Sequence, residues 1–109
     1  MKFLSTLLVA CGLLSASFAQ AAVDADAAQA LLKKSDCMKC HAIDKKKDGP
    51  PFMETAKKYK GQADAEEKLI KRITTGPMVE IDGAKEEHKK IKSTDTGEIK
   101  NVVQWILSL

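Results

Sequence analysis

Residues 37–41 read Cys-Met-Lys-Cys-His, and this short stretch concentrates reactive side chains. Two thiols two residues apart, with an imidazole directly after them, can bind a metal ion, shuttle between thiol and disulfide, or attach a cofactor covalently. These three chemistries need different surroundings, so the rest of the sequence must discriminate between them.

The first two chemistries find little support elsewhere in the chain. A structural zinc site needs about four ligands. After residue 21 the chain has two cysteines and two histidines, but His41 directly follows Cys40, which is outside the usual spacing of a second ligand pair. A thioredoxin-like redox pair expects a βαβ setting, and no strands are predicted. Cys-x-x-Cys-His is instead the attachment motif of c-type haem, whose two vinyl groups react with the thiols while the histidine ligates the iron. The motif therefore favours one covalently bound haem.

The first residues have the pattern of a secretory signal peptide. Met1-Lys2 is positively charged, Phe3 to Phe18 is an almost unbroken apolar run, and Ala19-Gln20-Ala21 is a small-x-small cleavage site. We therefore expect residues 1–21 to be cleaved, residues 22–109 to form one domain, and the protein to be periplasmic. Two alternatives are an uncleaved anchor, for which the run is short of the roughly 20 residues that span a bilayer, and lipidation at Cys11.

Charge and composition narrow the function further. The formal net charge of +3 is too balanced for a nucleic-acid-binding protein, and no stable membrane anchor is expected. After residue 21 the only aromatic side chains are Phe52, Tyr59 and Trp105, which makes a thin core. Because small domains with thin cores need additional stabilisation, a large, flat, buried cofactor suits this chain.

Apolar residues at helical spacing predict an all-α domain. Asp95 and Glu98 have the spacing of an N-cap and N3 pair for the last helix. No sustained period or hairpin signal is recognised between Met78 and Ser93, so no strand is predicted there. The predicted helices are Val23 to Ser35, Pro51 to Lys60, Ala63 to Thr75, and a last helix that buries Ile99, Val102, Val103 and Ile106, with Trp105 beside them.

From the motif onward the chain resembles small bacterial class I cytochromes c, most of all those of the cytochrome c-551 kind. The resemblance covers roughly Asp26 to Ser108, and is carried by Cys37 to Asp44, Gly49-Pro50, Tyr59 to Ala63 and Trp105 to Ser108. It implies a monohaem fold of four to five short helices wrapped around the haem. It also implies a one-electron carrier between redox proteins, not an enzyme.

The resemblance assigns roles to residues near the motif. Cys37 and Cys40 would form the thioether bonds, and His41 would be the proximal iron ligand. The carbonyl of Pro50 would accept a hydrogen bond from the other ring nitrogen of His41, which fixes the ring and makes the ligand more basic. The alternative for Pro50 is an ordinary turn proline.

The sequence departs from this family at the distal ligand. The family's usual methionine lies in the loop after the third helix, often preceded by proline, and no such pair occurs at that position. His88, seventeen residues before Trp105, falls about where the methionine should be, whereas Met78 directly follows the third helix. We therefore expect His88 to be the distal ligand, with Met78 as the runner-up. The alternatives are an open or Lys-ligated iron, with His88 in a solvated charged turn.

Two histidine ligands would lower the potential, because methionine ligation is what raises it in ordinary cytochromes c. The main alternative function is binding or sensing of NO, CO or O₂ at a displaceable or open distal site. A third is an electron-transfer subunit of a larger enzyme. Lys45–Lys47 and Lys57–Lys60 are candidate docking patches for acidic redox partners, unless they only make the surface soluble.

Overall fold

The structure is a computed structural model that describes residues 22–109, and the predicted signal segment lies outside them. Within this part no helix is both long and apolar enough to span a bilayer. The described elements are four α-helices, one 3-10 turn and one β-hairpin. They are α1 (Ala25–Lys34), the turn Cys37–Lys39, α2 (Phe52–Tyr59), α3 (Ala65–Thr75), β1 (Met78–Ile81), β2 (Ala84–Glu87) and α4 (Thr96–Leu107).

The helices begin and end at residues that satisfy their free backbone groups. The carboxylate of Asp24 accepts from the N–H of Ala27 at 3.0 Å, and that of Asp95 accepts from the N–H of Glu98 at 2.9 Å. Gly76 ends α3 in the left-handed conformation, with φ of 61°. The four predicted helices are therefore confirmed, and the ends predicted for the first three differ by at most two residues from those in the structure.

The first and last helices form the centre of the fold. Ala28 and Leu32 of α1 and Val102 and Ile106 of α4 are each at most 6% exposed and belong to the same buried cluster. Asn101 closes the end of this pair, since its side chain accepts from the N–H of Asp24 at 2.9 Å and donates to the carbonyl of Asp24 at 2.8 Å. The other two helices pack on α4, which leaves the attachment motif at one edge of the core.

The expectation that residues 78–93 contain no strand is wrong. β1 and β2 pair in antiparallel fashion, with Met78 opposite Glu87 and Ile81 opposite Ala84. The connecting residues Asp82 and Gly83 both have positive φ, 50° and 79°. An Asp-Gly pair is a strong sequence signal for such a two-residue turn. β2 is entirely exposed and shows no apolar alternation, so hydrophobic periodicity does not indicate this hairpin.

Candidate functional site

The cysteine motif is held in a tight turn directly after α1. Asp36 adopts the left-handed conformation, with φ of 61°, and turns the chain out of the helix. The N–H of His41 then donates to the carbonyl of Cys37 at 3.0 Å. Cys37 and Cys40 are not joined in a disulfide, both are half-buried, and both line the same cleft as His41. The turn thus presents two thiols and an imidazole to one cavity.

His41 is fixed by contacts on several sides. Its Nδ1 lies 2.7 Å from the carbonyl oxygen of Pro50, the contact that the family resemblance implied. The ring of Phe52 stacks on it at 5.1 Å between centroids, with 20° between the planes. Because Nδ1 donates to Pro50, Nε2 is left with a lone pair for a metal ion.

His88 directly follows β2, at the open end of the hairpin, and faces His41. Its ring centroid lies 6.1 Å from that of His41, and the planes are inclined by 52°. The N–H of His88 donates to the carbonyl of Pro77 at 2.8 Å, which continues the hairpin pairing by one step. Gly76 makes this approach possible, because a Cβ there would lie 2.8 Å from the carbonyl oxygen of His88. His88 thus lies beside the cleft, and not in the solvated turn that was the alternative.

The two histidines and two cysteines line one cleft of about 700 Å³. Its size falls within the range of small-molecule and cofactor sites. Its apolar walls come from the helices and from the hairpin, and include Leu32, Phe52, Leu69, Ile73, Val79 and Ile106. These side chains suit a flat apolar ring.

The separation of the histidines suits a metal ion held between them. Two metal–imidazole bonds of about 2 Å each place the ring centres about 6 Å apart, close to the 6.1 Å between His41 and His88. Among the described residues, Nδ1 of His88 is the only buried side-chain nitrogen or oxygen without a hydrogen-bond partner. No group of three or more His, Cys, Asp or Glu side chains in the described part could hold a metal without a cofactor. The donor set fits a metal carried by a ring, and offers no zinc site.

The other predicted site residues are placed less favourably. Met78 also lines the cleft, but 64% of it is exposed. Among the predicted docking lysines, Lys58 lines the cleft, whereas Lys57 and Lys60 line a separate depression of about 800 Å³ along α2. The amine of Lys47 donates to the carbonyl of Met38 at 2.7 Å. Of the lysines in the Lys57–Lys60 patch, only Lys58 therefore lines the cleft itself.

Burial and nearby charges shift the protonation equilibria of the site. Burial, followed by the positive charge of Arg72, lowers the pKa of His88, against a smaller opposing effect of the Lys89 backbone. Burial, followed by the charge of Asp36, raises the pKa of the Cys37 thiol. At neutral pH the imidazole of His88 is thus a neutral donor, which is the form that binds metals.

Gly49 gives a direct test of the packing around His41. A Cβ at this position would lie 2.5 Å from Cε1 of His41 and 2.8 Å from its Nδ1. We expect Gly49→Ala to displace the ring and to lower the free energy of unfolding of the cofactor-loaded protein by about 1–3 kcal/mol, the usual cost of overpacking. Denaturant titration followed by the cofactor absorbance measures this loss.

Gly97→Ala is the matched control. Its added Cβ would contact only the end of the Asp95 side chain, at 3.2 Å, and alanine favours a helix. We expect this variant to unfold at or above the wild-type midpoint. Equal behaviour of the two variants would mean that the ring of His41 is free to move.

Sequence reasoning missed three contributors to the site. Val79 and Ile81 form one wall of the cleft but belong to the overlooked hairpin. Gly76 directly follows the predicted third helix, and its lack of a side chain also admits the His88 backbone. Ser35, two residues before the first cysteine, is 1% exposed and bonds to a segment far along the chain. Only the hairpin carried a recognisable local signal, its Asp-Gly turn.

Known proteins are similar to this chain over most of its length. The family model for cytochrome c matches residues 25–109. The class 1 cytochrome MtoD from Sideroxydans lithotrophicus ES-1 is 50% identical in sequence, with a TM-score of 0.76 over 80% of this chain and 97% of that one. Cytochrome c552 from Nitrosomonas europaea is 27% identical, with a TM-score of 0.60 over 74% of this chain and 98% of that one.

Two relatives found by sequence similarity are also cytochromes. Cytochrome c-552 from Hydrogenobacter thermophilus is 37% identical over 79 residues, which are 72% of this chain and 78% of that protein. Cytochrome c-551 from Pseudomonas aeruginosa is 46% identical over 48 residues. That second match spans 44% of this chain and about half of the relative, 46% of its length.

Proposed function

We propose, from the premise that this chain belongs to the cytochrome c family, that its haem iron is held by two histidines, His41 and His88, and works at a lowered potential. As a member of the family it is a monohaem electron carrier that exchanges electrons with redox partners. It binds one haem c covalently through Cys37 and Cys40. The ligand pair and the potential are the new part of the proposal.

The observation that carries the proposal is the 6.1 Å between the ring centres of His41 and His88 across the cleft. The half-buried His88 has an unpartnered Nδ1, which indicates a side chain placed for something other than solvent. Met78, the alternative ligand, is the first residue of β1, and most of its surface is exposed. His88 is therefore the better candidate for the distal position.

The protein's part in electron transfer is to hold two imidazoles in place. When bound, the haem supplies a one-electron redox couple at its iron. The carbonyl of Pro50 orients His41, and the backbone of Pro77 fixes the chain at His88. Two imidazole ligands would lack the preference of a thioether for reduced iron, so the potential would fall below that of Met/His carriers. These contacts would hold both imidazoles in place against the bound haem.

The optical spectrum of the ferric holoprotein tests this ligation. We expect a low-spin spectrum without the weak long-wavelength band of methionine sulfur bound to ferric iron. His88→Ala should turn it high-spin, and Met78→Leu, the control for the runner-up, should leave it unchanged.

Two results would overturn the proposal. A methionine band that disappears in Met78→Leu would assign the ligand to Met78. A high-spin wild-type spectrum with rapid carbon monoxide binding by the reduced protein would instead favour the gas-binding function.

The proposed cellular location rests on residues 1–21, whose sequence has the pattern of an export signal. We propose that residues 22–109 act in the periplasm and that catalysis is not part of their role. Docking of acidic partners on Lys45–Lys47 and Lys57–Lys60 stays a prediction. Lys58 has the best support, because it lines the cleft itself.

A further inference from the structure

The segment that carries His88 has no regular structure of its own. Residues 88–92, here called the distal segment, follow β2 and include three lysines. Such a segment would ordinarily be mobile, because it has no internal ladder of hydrogen bonds. Contacts with other parts of the chain must therefore hold it in place.

Two of these contacts join the distal segment to α3. The N–H of Ile91 donates to the carbonyl of Ile73 at 2.8 Å, and the side chain of Ile91 is 7% exposed within the core. The N–H of His88 donates to Pro77, just beyond the end of α3. This side of the segment is anchored to the helix that precedes the hairpin.

Two further contacts join the distal segment to the residues just before the cysteine motif. The N–H of Lys92 donates to Oγ of Ser35 at 2.8 Å, and its amine lies 3.2 Å from Oδ2 of Asp36. Ser35 is the one buried polar residue in the described part of the chain, with 1% exposure. Since a buried hydroxyl needs a partner, the bond to Lys92 is integral to the packing.

Asp36, next to Ser35, is the second residue that contacts Lys92. It is one of two residues other than glycine with positive φ in the described chain, and its carboxylate bonds both Lys92 and Lys39. Asparagine and aspartate tolerate this conformation better than other residues with side chains. The turn that presents the thiols is thus also the turn that receives the distal segment.

We propose that Ser35 and Asp36 form a clamp on Lys92 that positions His88 and slows its departure from the iron. The inference rests on the proposed ligation by His88 and deepens it. The two residues are positioning residues, because neither supplies a ligand. The clamp links the attachment motif to the distal ligand across a sequence separation of 57 residues, from Ser35 to Lys92.

Cyanide binding to the ferric holoprotein measures this directly, since cyanide can bind only when the distal ligand has left. We expect Ser35→Ala to raise the observed binding rate about tenfold, the factor associated with losing one buried hydrogen bond. Asp36→Asn keeps a residue that tolerates positive φ, and should raise the rate only two- to threefold, roughly the value of an exposed ion pair. Faster hydrogen exchange of the Lys92 amide in Ser35→Ala gives a readout independent of the ligand.

Two controls separate positioning from general destabilisation. Ser35→Thr keeps the hydroxyl and should return the rate toward wild type. Val103→Ala removes methyl groups from a fully buried side chain outside the cluster around the cleft. It should lower stability without accelerating cyanide binding.

A wild-type rate in Ser35→Ala, with rapid binding in His88→Ala, would overturn the clamp and leave the ligation by His88 standing. If His88→Ala also binds cyanide no faster than wild type, ligation by His88 fails and the clamp fails with it. An equal acceleration by Val103→Ala would likewise overturn the clamp, because loss of stability alone would then explain the effect.

Discussion

Replacing His88 by methionine is expected to raise the midpoint potential of the holoprotein by on the order of 100 mV, because a thioether favours reduced iron and imidazole does not. His88 is half-buried at the cleft, while its backbone is held by Pro77 and lies close to Gly76. The substitution therefore changes the donor atom without moving the chain that presents it. Spectroelectrochemical titration measures the shift, and the ferric spectrum should gain the band of bound methionine sulfur.

Met78→Leu separates the two possible ligands. Because Met78 is 64% exposed, its loss should leave the potential within about 20 mV of wild type, a small part of the range that axial ligands span. A large change in Met78→Leu together with no change in His88→Met would reverse the assignment. His88→Ala completes the set, since an open distal position should make the ferric iron high-spin.

The parts of the fold with strong local signals could be predicted from the sequence. Cys-x-x-Cys-His identified the attachment site, and the pair Asp95 and Glu98 marked the start of the last helix, which the structure confirms. These features were recognisable because capping and covalent attachment depend on a few neighbouring residues.

The hairpin shows where local pattern failed. Val79 and Ile81 are half-buried against the cleft, but β2 reads Ala-Lys-Glu-Glu and has no apolar face. Its pairing depends on the Asp82-Gly83 turn and on the partner strand, not on its own hydrophobicity. Because this region lacks an apolar period, the wall that the hairpin contributes to the cleft is not recognisable in the sequence.

His88 could be predicted as a ligand candidate by counting back from Trp105. The contacts that hold the chain around His88 could not be predicted. Ser35 bonds to Lys92 across 57 positions, and no period or motif connects two such residues in a single sequence. The same holds for Gly76, whose small size is needed by a backbone that arrives after the hairpin. Ligand candidates can thus be recognised by spacing, whereas the contacts that hold them become visible only in the folded chain.

Trp105→Ala is expected to lower the free energy of unfolding of the holoprotein by about 3–5 kcal/mol, the usual cost of truncating a buried tryptophan. Trp105 is 6% exposed and meets the ring of Phe52 edge-on, at 6.1 Å between centroids and 78° between planes. Phe52 in turn stacks on His41. The truncation therefore removes a large part of a thin aromatic core and the support of the Phe52 ring, which stacks on His41.

Denaturant unfolding, followed by far-ultraviolet circular dichroism and by the haem absorbance, measures the loss. Trp105→Phe keeps an aromatic ring against Phe52 and should lose less than half as much. Small domains have only about 5–15 kcal/mol of stability, so the alanine variant should be near its limit at moderate temperature. A loss below about 1 kcal/mol would contradict the prediction. It would mean that the attached haem, and not the packing of α4 on α2, holds this domain together.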